Sequence, residues 1–224
     1  MTTLWHYPDG RLLLFAKAPV PGRVKSRLRP VWGAHGACGV YQRLFLTTLD
    51  TALASRAAPV ELWAAPSAGH PWLRARAREA GVPLHVQAPG NLGARMAHGL
   101  AAALAHSRYA VIIGADCAGL TPDHLQAAFQ ALAAGDDAVF CPAHDGGYLL
   151  VGVRRRDSGL VRAMPWGGDR VMRETRKRIR RLGWRATELE PARDVDRPED
   201  VRALRHRLGA WGSGRCGRSG QPLS

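Results

Sequence analysis

The chain has 224 residues, of which 46% are hydrophobic, and this size suits one large domain that buries a core without disulfides or metals. Lys and Arg number 32 against 18 Asp and Glu, a formal net charge of +14, and no apolar run is long enough to cross a bilayer. The four cysteines are scattered, with no His at zinc-ligand spacing, which argues against a disulfide framework or a zinc site. We expect Cys117 and Cys141, which fall in apolar segments, to be buried thiols.

The excess of positive charge has two interpretations. A basic surface can bind nucleic acid or a membrane, but the basic residues lack the interleaved aromatics of a single-strand binder. They are nearly all Arg in a chain rich in Ala and Gly, as GC-rich coding produces. We therefore expect local anionic substrates and no nucleic-acid partner. Residues 1–9 lack the features of a secretory signal, so we expect a cytoplasmic protein.

Hydrophobic periodicity predicts strands and helices that alternate along the chain. The predicted strands are 12–16, 60–64, 84–87, 109–114, 138–141, 148–153 and 187–189. The predicted helices are 33–56, 71–80, 92–104, 122–132, 168–182 and 198–208. The strand 109–114 is apolar throughout, which predicts burial on both faces. Gly81 is expected to end the second helix, and Thr121 to cap the fourth with Pro122 in its first turn.

Repeated strand–helix units predict an α/β fold with a mostly parallel sheet and helices on both faces. The connection at 142–147 is too short for a helix, so the strands that flank it are expected to form a short antiparallel excursion. We expect a single domain over residues 11–208. Residues 209–224, which are polar and rich in Gly and Ser, are expected to be a disordered tail.

The first predicted strand runs into a loop that contains Pro, Gly and several cations. The cationic residues are Lys17, Arg23, Lys25 and Arg27. A buried strand that ends in such a loop is a common way to hold a polyphosphate, because Lys and Arg neutralise phosphate charge and bind its oxygens. This loop has neither a Walker P-loop nor a GxGxxG motif. The loop therefore predicts that the protein binds nucleotide phosphates through a cationic loop of another type.

Acidic residues in two places are candidate metal ligands. Asp116 ends the predicted central strand, at the edge where open α/β sheets collect ligands. A carboxylate there could coordinate a divalent cation that also binds phosphate oxygens, or it could cap a helix or lie in a loop. The acidic cluster at 194–200 has the pattern of a helix N-terminus. One of its carboxylates could still face the metal, so both interpretations stay open.

Three further segments carry candidate binding groups. The turn at 145–148 allows close approach of a ligand, or is simply a hairpin turn. Gly93 and Arg95 open a helix that could contact a nucleotide, or that is only capped by Asn. Trp166 lies in a Gly-containing loop that suits an acceptor lid, or that pins the loop to the core. The basic helix at 168–182 is expected to expose its charged face to solvent.

In this order, the motifs resemble those of a family of bacterial glycosyltransferase-A-like (GT-A-like) transferases. That family is also described as a domain of unknown function and as a transferase associated with radical-SAM and selenium-related genes. The matching blocks are 15–28, 92–96, 114–117, 142–148 and 194–200. The resemblance covers residues 11 to 208. The family is similar to the guanylyltransferases that act on molybdenum cofactor and on 2-phospho-lactate, to the latter through residues 25–28.

The resemblance implies a three-layer GT-A fold. It also implies an enzyme that transfers a glycosyl group from a nucleotide-sugar donor to a small-molecule acceptor and uses Mg²⁺ or Mn²⁺ as its cofactor. Nucleotidylyl transfer that releases pyrophosphate is an alternative, and a non-catalytic nucleotide- or nucleic-acid-binding protein is an alternative of another class. The residues expected to act are Asp116, Asp145 and Lys25 in catalysis; Lys17, Arg23, Lys25, Arg27, Gly93 and Arg95 in nucleotide binding; Asp116 and Asp196 in metal binding; and Gly146, Gly147, Tyr148 and Trp166 in acceptor binding.

The chain departs from the family pattern at Ser26, where Thr is usual, at Asn91, where Asp is common, and in two features around Asp116. Ala118 and Gly119 stand where Pro and a polar residue are usual, so we expect a looser loop after Asp116. No second acid follows Asp116 at the spacing of a DxD motif, so strict metal dependence is not implied.

Overall fold

The computed structural model describes residues 4–203, and in this range seven strands form one sheet. The strands are β1 (Gly10–Lys17), β2 (Val60–Ala65), β3 (Leu84–Val86), β4 (Tyr109–Gly114), β5 (Ala138–Pro142), β6 (Tyr148–Val153) and β7 (Ala186–Glu188). Their order across the sheet is β3-β2-β1-β4-β6-β5-β7. The sheet is therefore built outwards from β1 and β4, which pair in parallel.

Among the described strands, β6 is the one that runs against its neighbours. It pairs antiparallel with both β4 and β5, whereas the remaining strand pairs are parallel. The reason is the short connection between β5 and β6, since a parallel crossover needs a dozen or more residues. The predicted antiparallel excursion is confirmed, and it inserts β6 between two strands that share a direction.

Helices cover both faces of the sheet. They are α1 (Arg29–Ser55), α2 (Pro71–Ala80), α3 (Leu92–Ala103), α4 (Pro122–Ala133), α5 (Val171–Leu182) and α6 (Pro198–Ala203). Leu12 and Leu14 of β1 pack in a core cluster with residues of α1, α2 and α4. Leu13 and Phe15, which point to the other face, pack with residues of α3 and α5. The expected three-layer arrangement is confirmed, because alternate side chains of a strand face opposite sides of the sheet.

Most predicted boundaries agree with the structure to within a few residues. The start of α1 differs, since it begins at Arg29 with Pro30 in its first turn and is kinked at Gly33, where φ is 65°. Gly81 ends α2 in the left-handed conformation, as expected. Thr121 caps α4 through its side chain, and Pro122 occupies the first turn. Local turn and cap chemistry therefore fixes the ends of these helices.

Residues 204–208 of the predicted domain and the whole predicted tail lie outside the described residues. Within the part of the chain that the structure describes, no helix is both long and apolar enough to cross a membrane. Cys117 and Cys141 are buried thiols, as predicted, and Cys38 is buried too.

The close packing around β6 predicts a large effect of one added methyl group. A Cβ on Gly152 would lie 2.7 Å from Val139 Cγ1 and 2.9 Å from Val111 Cγ2. We expect Gly152→Ala to lower the free energy of unfolding by about 1–3 kcal/mol through overpacking. In Gly39→Ala, on α1, the new methyl meets nothing within 4 Å, and we expect a gain of about 0.5–1 kcal/mol from helix propensity. Urea unfolding measures both, and equal stability of the two variants would contradict this packing.

Candidate active site

Three separate segments of the chain meet at one edge of the sheet. Lys25 lies in the loop after β1, Asp116 follows β4, and Asp196 lies between β7 and α6. Because β1 and β4 are parallel neighbours, both loops leave the sheet at its carboxyl edge, where ligands collect in open α/β sheets. The segment after β7 reaches the same edge, since Ala192 N donates to the carbonyl of Pro142 at the end of β5.

The Lys25 ammonium joins these three segments. Its Nζ lies 2.7 Å from Asp116 Oδ2 and 3.3 Å from Asp196 Oδ1, and it donates to the carbonyl of Val195 over 2.6 Å. An ammonium group has three N–H donors, so these three oxygens account for all of them. The side chain is only 5% exposed. The Lys25 backbone adopts φ 44° and ψ 49°, a left-handed conformation that non-glycine residues hold mainly where the surroundings enforce it.

The charges around Lys25 shift the pKa values of its partners. Burial alone lowers the pKa of Lys25, but the surrounding carboxylates outweigh burial and hold that pKa above its usual value. Burial raises the pKa of Asp116, because it disfavours the charged carboxylate. The positive charge of Lys25 and its hydrogen bond outweigh burial and bring the pKa of Asp116 below its usual value. Both groups are therefore ionised at neutral pH. The pair supplies one positive and one negative charge at the sheet edge.

Asp196 takes part in the site because another acid caps the helix behind it. Asp200 Oδ2 accepts from the backbone N–H groups of Asp196 and Arg197, at 3.1 and 2.7 Å. The Asp196 carboxylate is left to bind Lys25 and Arg27, whose Nη1 lies 2.6 Å from Oδ2. The acidic cluster therefore starts a helix, as one interpretation expected, and it also turns the Asp196 carboxylate to Lys25 and Arg27. That this carboxylate faces a metal stays a prediction.

A small apolar cluster lies beside the charged residues. Leu28, Ala118 and Val195 are fully buried and pack with Val40 and Leu44 of α1. Each of the first three residues lies within two positions of a charged site residue along the chain. Burial of this cluster therefore fixes the three segments relative to one another, and it positions the charges that they carry.

The expectation of a looser loop after Asp116 is wrong. Ala118 is 0% exposed, and a Cβ on Gly119 would lie 2.0 Å from the carbonyl oxygen of Arg193. The small residues allow this close approach of two backbones. They tighten the contact between the loop and the C-terminal segment rather than releasing it.

The loop carries two more cations, Lys17 and Arg23, and both are exposed. Lys17 lies near enough to the site for its charge to contribute to lowering the pKa of Asp116. The backbone of Lys17 is held by Tyr41, whose hydroxyl accepts from the Lys17 N–H at 2.8 Å and donates to its carbonyl at 3.0 Å. Helical periodicity places Tyr41 only on an apolar face, so this polar contact was missed from the sequence.

A second group of predicted residues gathers around Tyr148. Because β6 is antiparallel to β4, Tyr148 starts its strand at the edge where β4 ends. The Trp166 ring packs edge-on against Tyr148, with centroids 5.9 Å apart. Gly93, at the start of α3, touches the same ring, since a Cβ there would lie 3.0 Å from Trp166 Nε1. One predicted nucleotide-binding residue therefore lies with two predicted acceptor-binding residues.

Two polar groups in this cluster have no partner. The Tyr148 hydroxyl and the Trp166 indole N–H are buried without a hydrogen bond to any described residue. Burial raises the pKa of Tyr148, so its hydroxyl keeps its proton. Buried polar groups are normally satisfied, so a movement that opens this cluster would offer two unpaired donors to a ligand.

Arg178 holds the loop that carries Trp166, which the sequence did not indicate. Its guanidinium donates to the carbonyls of Gly159 and Ala163, each at 2.9 Å, and also to that of Arg162. It pairs with Glu174 one turn earlier on α5, at 3.2 Å. Only 13% of its side chain is exposed. The pattern of the basic helix predicts a solvated face, and Arg178 departs from it by turning towards a loop that is distant in sequence.

Two other predicted site residues make local backbone contacts. Asp145 is exposed, and its Oδ1 accepts from Gly147 N at 3.0 Å, while the carbonyl of Gly146 accepts from Met172 N of α5 at 2.9 Å. Arg95 Nε donates to the carbonyl of Gly90 at 2.9 Å. The structure does not bring either Asp145 or Arg95 to the Lys25 ammonium, and their roles stay predictions.

Asp194 is a third carboxylate of the site that the sequence analysis did not select. Burial raises its pKa, the charge of Lys25 lowers it and the charge of Asp116 raises it again, for a pKa of about 6. Its Oδ1 accepts from Val195 N at 2.6 Å. The only signal in the sequence is its place two residues before Asp196. Nothing in that spacing tells which of the two carboxylates pairs with a cation.

The donor set at this edge fits a hard divalent cation that shares its ligands with a substrate. No group of three or more His, Cys, Asp or Glu within residues 4–203 could hold a metal alone. Asp116 and Asp196 nevertheless bracket one cationic group, the Lys25 ammonium. Mg²⁺ is commonly bound by one or two carboxylates together with substrate phosphates. Two carboxylates at the mouth of a cationic loop fit that mode of binding.

Comparison with known proteins gives a family and a fold. The family model described as "Uncharacterized protein conserved in bacteria (DUF2064)" matches residues 48–168, just over half of the chain. No curated protein matches the chain. The matched range contains Asp116, Asp145 and Trp166, whereas Lys25 and Asp196 lie outside it.

Several solved structures share the fold. A protein from Desulfovibrio desulfuricans G20, provisionally named a nucleotide-diphospho-sugar transferase, is 27% identical over 88% of this chain and 86% of its own, with a TM-score of 0.79. A nucleotidyl transferase from Methanothermobacter is 13% identical over 89% of this chain and 97% of its own, with a TM-score of 0.61. Glucosyl-3-phosphoglycerate synthase from Mycobacterium tuberculosis, in complex with Mn²⁺ and UDP, is 14% identical over 93% and 82%, with a TM-score of 0.51. These likenesses confirm the expected GT-A-like fold.

The raised pKa of Asp194 predicts a specific pH dependence of stability. The folded protein keeps this proton up to about pH 6, whereas an unfolded Asp loses it near pH 3.9. The folded state binds more protons between these values, so this contribution is complete below about pH 4 and is lost as the pH rises through 6. We expect Asp194→Asn to be more stable than the wild type at pH 7.5, with the difference shrinking towards pH 4.

Urea unfolding midpoints across this pH range test the prediction. Asp9→Asn, which alters an exposed carboxylate far along the chain from the site, is the matched control and should follow the wild type. If Asp194→Asn and the wild type differ by the same amount at pH 4 and pH 7.5, the shifted pKa does not belong to Asp194.

Proposed function

Since the chain belongs to the DUF2064 family, we propose for it a nucleotide-dependent transferase activity, in which a glycosyl group moves from a nucleotide-sugar donor to a small-molecule acceptor. The observation that carries this proposal is the meeting of Lys25, Asp116 and Asp196 at the carboxyl edge of the sheet. The 27% identical Desulfovibrio protein, provisionally a nucleotide-diphospho-sugar transferase, supports it. A site that combines cations with carboxylates suits a diphosphate better than it suits a neutral ligand.

The cations of the loop after β1 bind the donor phosphates. Lys17, Arg23 and Arg27 are exposed at this edge, and Lys25 lies at its centre. Guanidinium groups bind phosphate oxygens in a bidentate manner, and ammonium groups act as point charges. Together they stabilise the negative charge that builds on the departing diphosphate.

The carboxylates of Asp116 and Asp196 are the residues that would hold Mg²⁺ or Mn²⁺. Both are more than one-third exposed in their side chains, at 35% and 39%, so their outer oxygens are open to a ligand. When bound, the cation would supply positive charge to the diphosphate leaving group. Asp194 lies beside them as a third carboxylate, and its charge strengthens the preference of the site for cations.

The acceptor binds on the Tyr148 side of the edge. After a movement that exposes them, the buried Tyr148 hydroxyl and Trp166 N–H bond acceptor oxygens. Gly146, whose side-chain position is filled by the backbone of Asp169, and Gly147 form the turn beside the acceptor. Asp145, exposed on that turn, takes the proton of the attacking hydroxyl. The acceptor oxygen then forms a bond to the anomeric carbon, the bond from that carbon to the diphosphate breaks, and the nucleoside diphosphate leaves with the electron pair.

Gly93 and Arg95 place the nucleotide between the two halves of the site. The side-chain position of Gly93 is filled by the carbonyl of Val161 and by Trp166, so the lack of a side chain lets the start of α3 pack against the loop that carries Trp166. Arg95 would exchange its contact with the carbonyl of Gly90 for the donor. The helix start adds N–H groups that favour an anion.

A donor screen by thermal shift tests the proposal. At a hundredfold excess over Kd, a ligand that binds only the folded state adds about 2.7 kcal/mol, which corresponds to a rise in Tm of about 5–10 °C for a chain of this size. We expect such a rise with a UDP- or GDP-sugar in the presence of Mn²⁺. Lys25→Ala and Asp116→Ala should abolish it, because each removes a group that contacts the diphosphate or its cation.

Lys177→Ala is the matched control, because Lys177 is exposed on α5, and it should keep the full rise. The products identify the reaction, since nucleoside diphosphate release indicates glycosyl transfer and pyrophosphate release indicates nucleotidylyl transfer. A rise in Tm without turnover would indicate a nucleotide-binding protein instead. No rise with any nucleotide, in protein shown to be folded, would overturn the proposal.

A further inference from the structure

Lys25 cannot serve the donor phosphates in the arrangement that the structure describes. Its three N–H donors are accounted for by Asp116 Oδ2, Asp196 Oδ1 and the Val195 carbonyl, at 2.7, 3.3 and 2.6 Å. The side chain is 5% exposed, so a phosphate cannot reach the ammonium without a movement. The Lys25 ammonium, which the proposed function assigns to the donor phosphates, therefore lies between two carboxylates before a donor binds.

Those carboxylates are the pair that fits a divalent cation. The ammonium and the cation would share the same two ligands, and two positive charges a few ångströms apart repel each other in a partly buried site. The carboxylates of Asp116, Asp194 and Asp196 are met by the cations Lys25 and Arg27, and the charge of Lys17 also acts on Asp116. A divalent cation added without a compensating anion would leave an excess of positive charge.

We propose that Lys25 is a displaceable counter-ion, which occupies the place of the divalent cation between Asp116 and Asp196 and yields it by turning its ammonium to the donor phosphates. This inference deepens the proposed function and rests on it for the phosphates, but competition between Lys25 and a metal ion for the carboxylates can be measured alone. The flexible four-carbon stem of Lys suits such an exchange. The backbone of residue 25 need not move, because it is fixed in a left-handed turn.

The exchange makes the binding of metal and nucleotide cooperative. Metal alone must displace Lys25 without offering the ammonium a new partner, so free metal binds weakly. The donor diphosphate supplies that partner and tightens metal binding, and by linkage the metal tightens nucleotide binding by the same factor. Lys25 thus neutralises the carboxylates when no ligand is bound. It also makes the site bind the metal–nucleotide complex in preference to the metal ion alone.

Binding of Mn²⁺ alone, measured by electron paramagnetic resonance in the absence of nucleotide, tests the inference. We expect Lys25→Met to bind Mn²⁺ more tightly than the wild type by about tenfold or more, because a competing positive charge is removed. Lys177→Met, which removes an exposed lysine from α5, should bind Mn²⁺ like the wild type. Lys25→Met with Asp116→Asn should lose the tight binding. Equal or weaker Mn²⁺ binding by folded Lys25→Met would overturn the inference.

A second measurement uses the wild type, in case Lys25→Met does not fold. The chain has three lysines, Lys17, Lys25 and Lys177, so side-chain NMR of labelled lysine gives a countable set of signals. Saturating Mg²⁺ alone should shift the Lys25 signal and leave that of Lys177 in place. An unchanged Lys25 signal would overturn the inference. If nucleotides bind but neither metal test shows competition, the proposed function stands without the exchange; if metal competition is seen but no nucleotide binds, the exchange stands alone.

Discussion

A single buried ammonium group determines how this edge of the protein is assembled. Lys25 binds oxygens from two segments that lie about 90 and 170 residues further along the chain. Removing one of its carboxylate partners would leave the buried Lys25 ammonium less compensated, and solvent at the partly exposed carboxylates moderates that cost. The apolar contacts of Leu28, Ala118 and Val195 act on the same three segments. Charge and packing thus hold one geometry together.

The direction of the strands divides the edge into two halves. The parallel strands β1 and β4 deliver the loop cations and Asp116, a half suited to phosphates. The antiparallel β6 begins where these strands end, so it brings Tyr148 to the same edge with its aromatic neighbours. Had β6 been parallel, Tyr148 would begin at the opposite edge. The short connection after β5 therefore provides the second half of the site.

Much of the fold could be predicted from the sequence because it depends on local pattern. The apolar run at 109–114 predicts a strand buried on both faces, and Thr121 predicts where α4 begins. The placement of Asp116 at the ligand edge follows from the strand that precedes it. The kink at Gly33, where φ is 65°, was not predicted, because helical periodicity alone does not show where a glycine leaves the helical conformation.

The contacts within the site were less predictable, because they join residues that are distant in sequence. The cationic loop and Asp116 were each recognised, yet no spacing reveals that Lys25 also binds Asp196. Arg178 lies in a run of charges that is typical of a solvated face, and only the folded loop gives it carbonyl partners. Asp194 and Asp196 look equivalent in the sequence. Their difference comes from the cations that Asp196 meets and the burial that Asp194 undergoes.

A crystal structure of the protein with a nucleoside diphosphate and Mn²⁺ would locate the phosphates and the ion. We expect the diphosphate at the carboxyl edge of the sheet, with Lys25 and Arg27 donating to its oxygens and the ion bound to Asp116. A diphosphate bound at any other place on the protein, with Lys25 still between Asp116 and Asp196, would show that this edge is not the donor site.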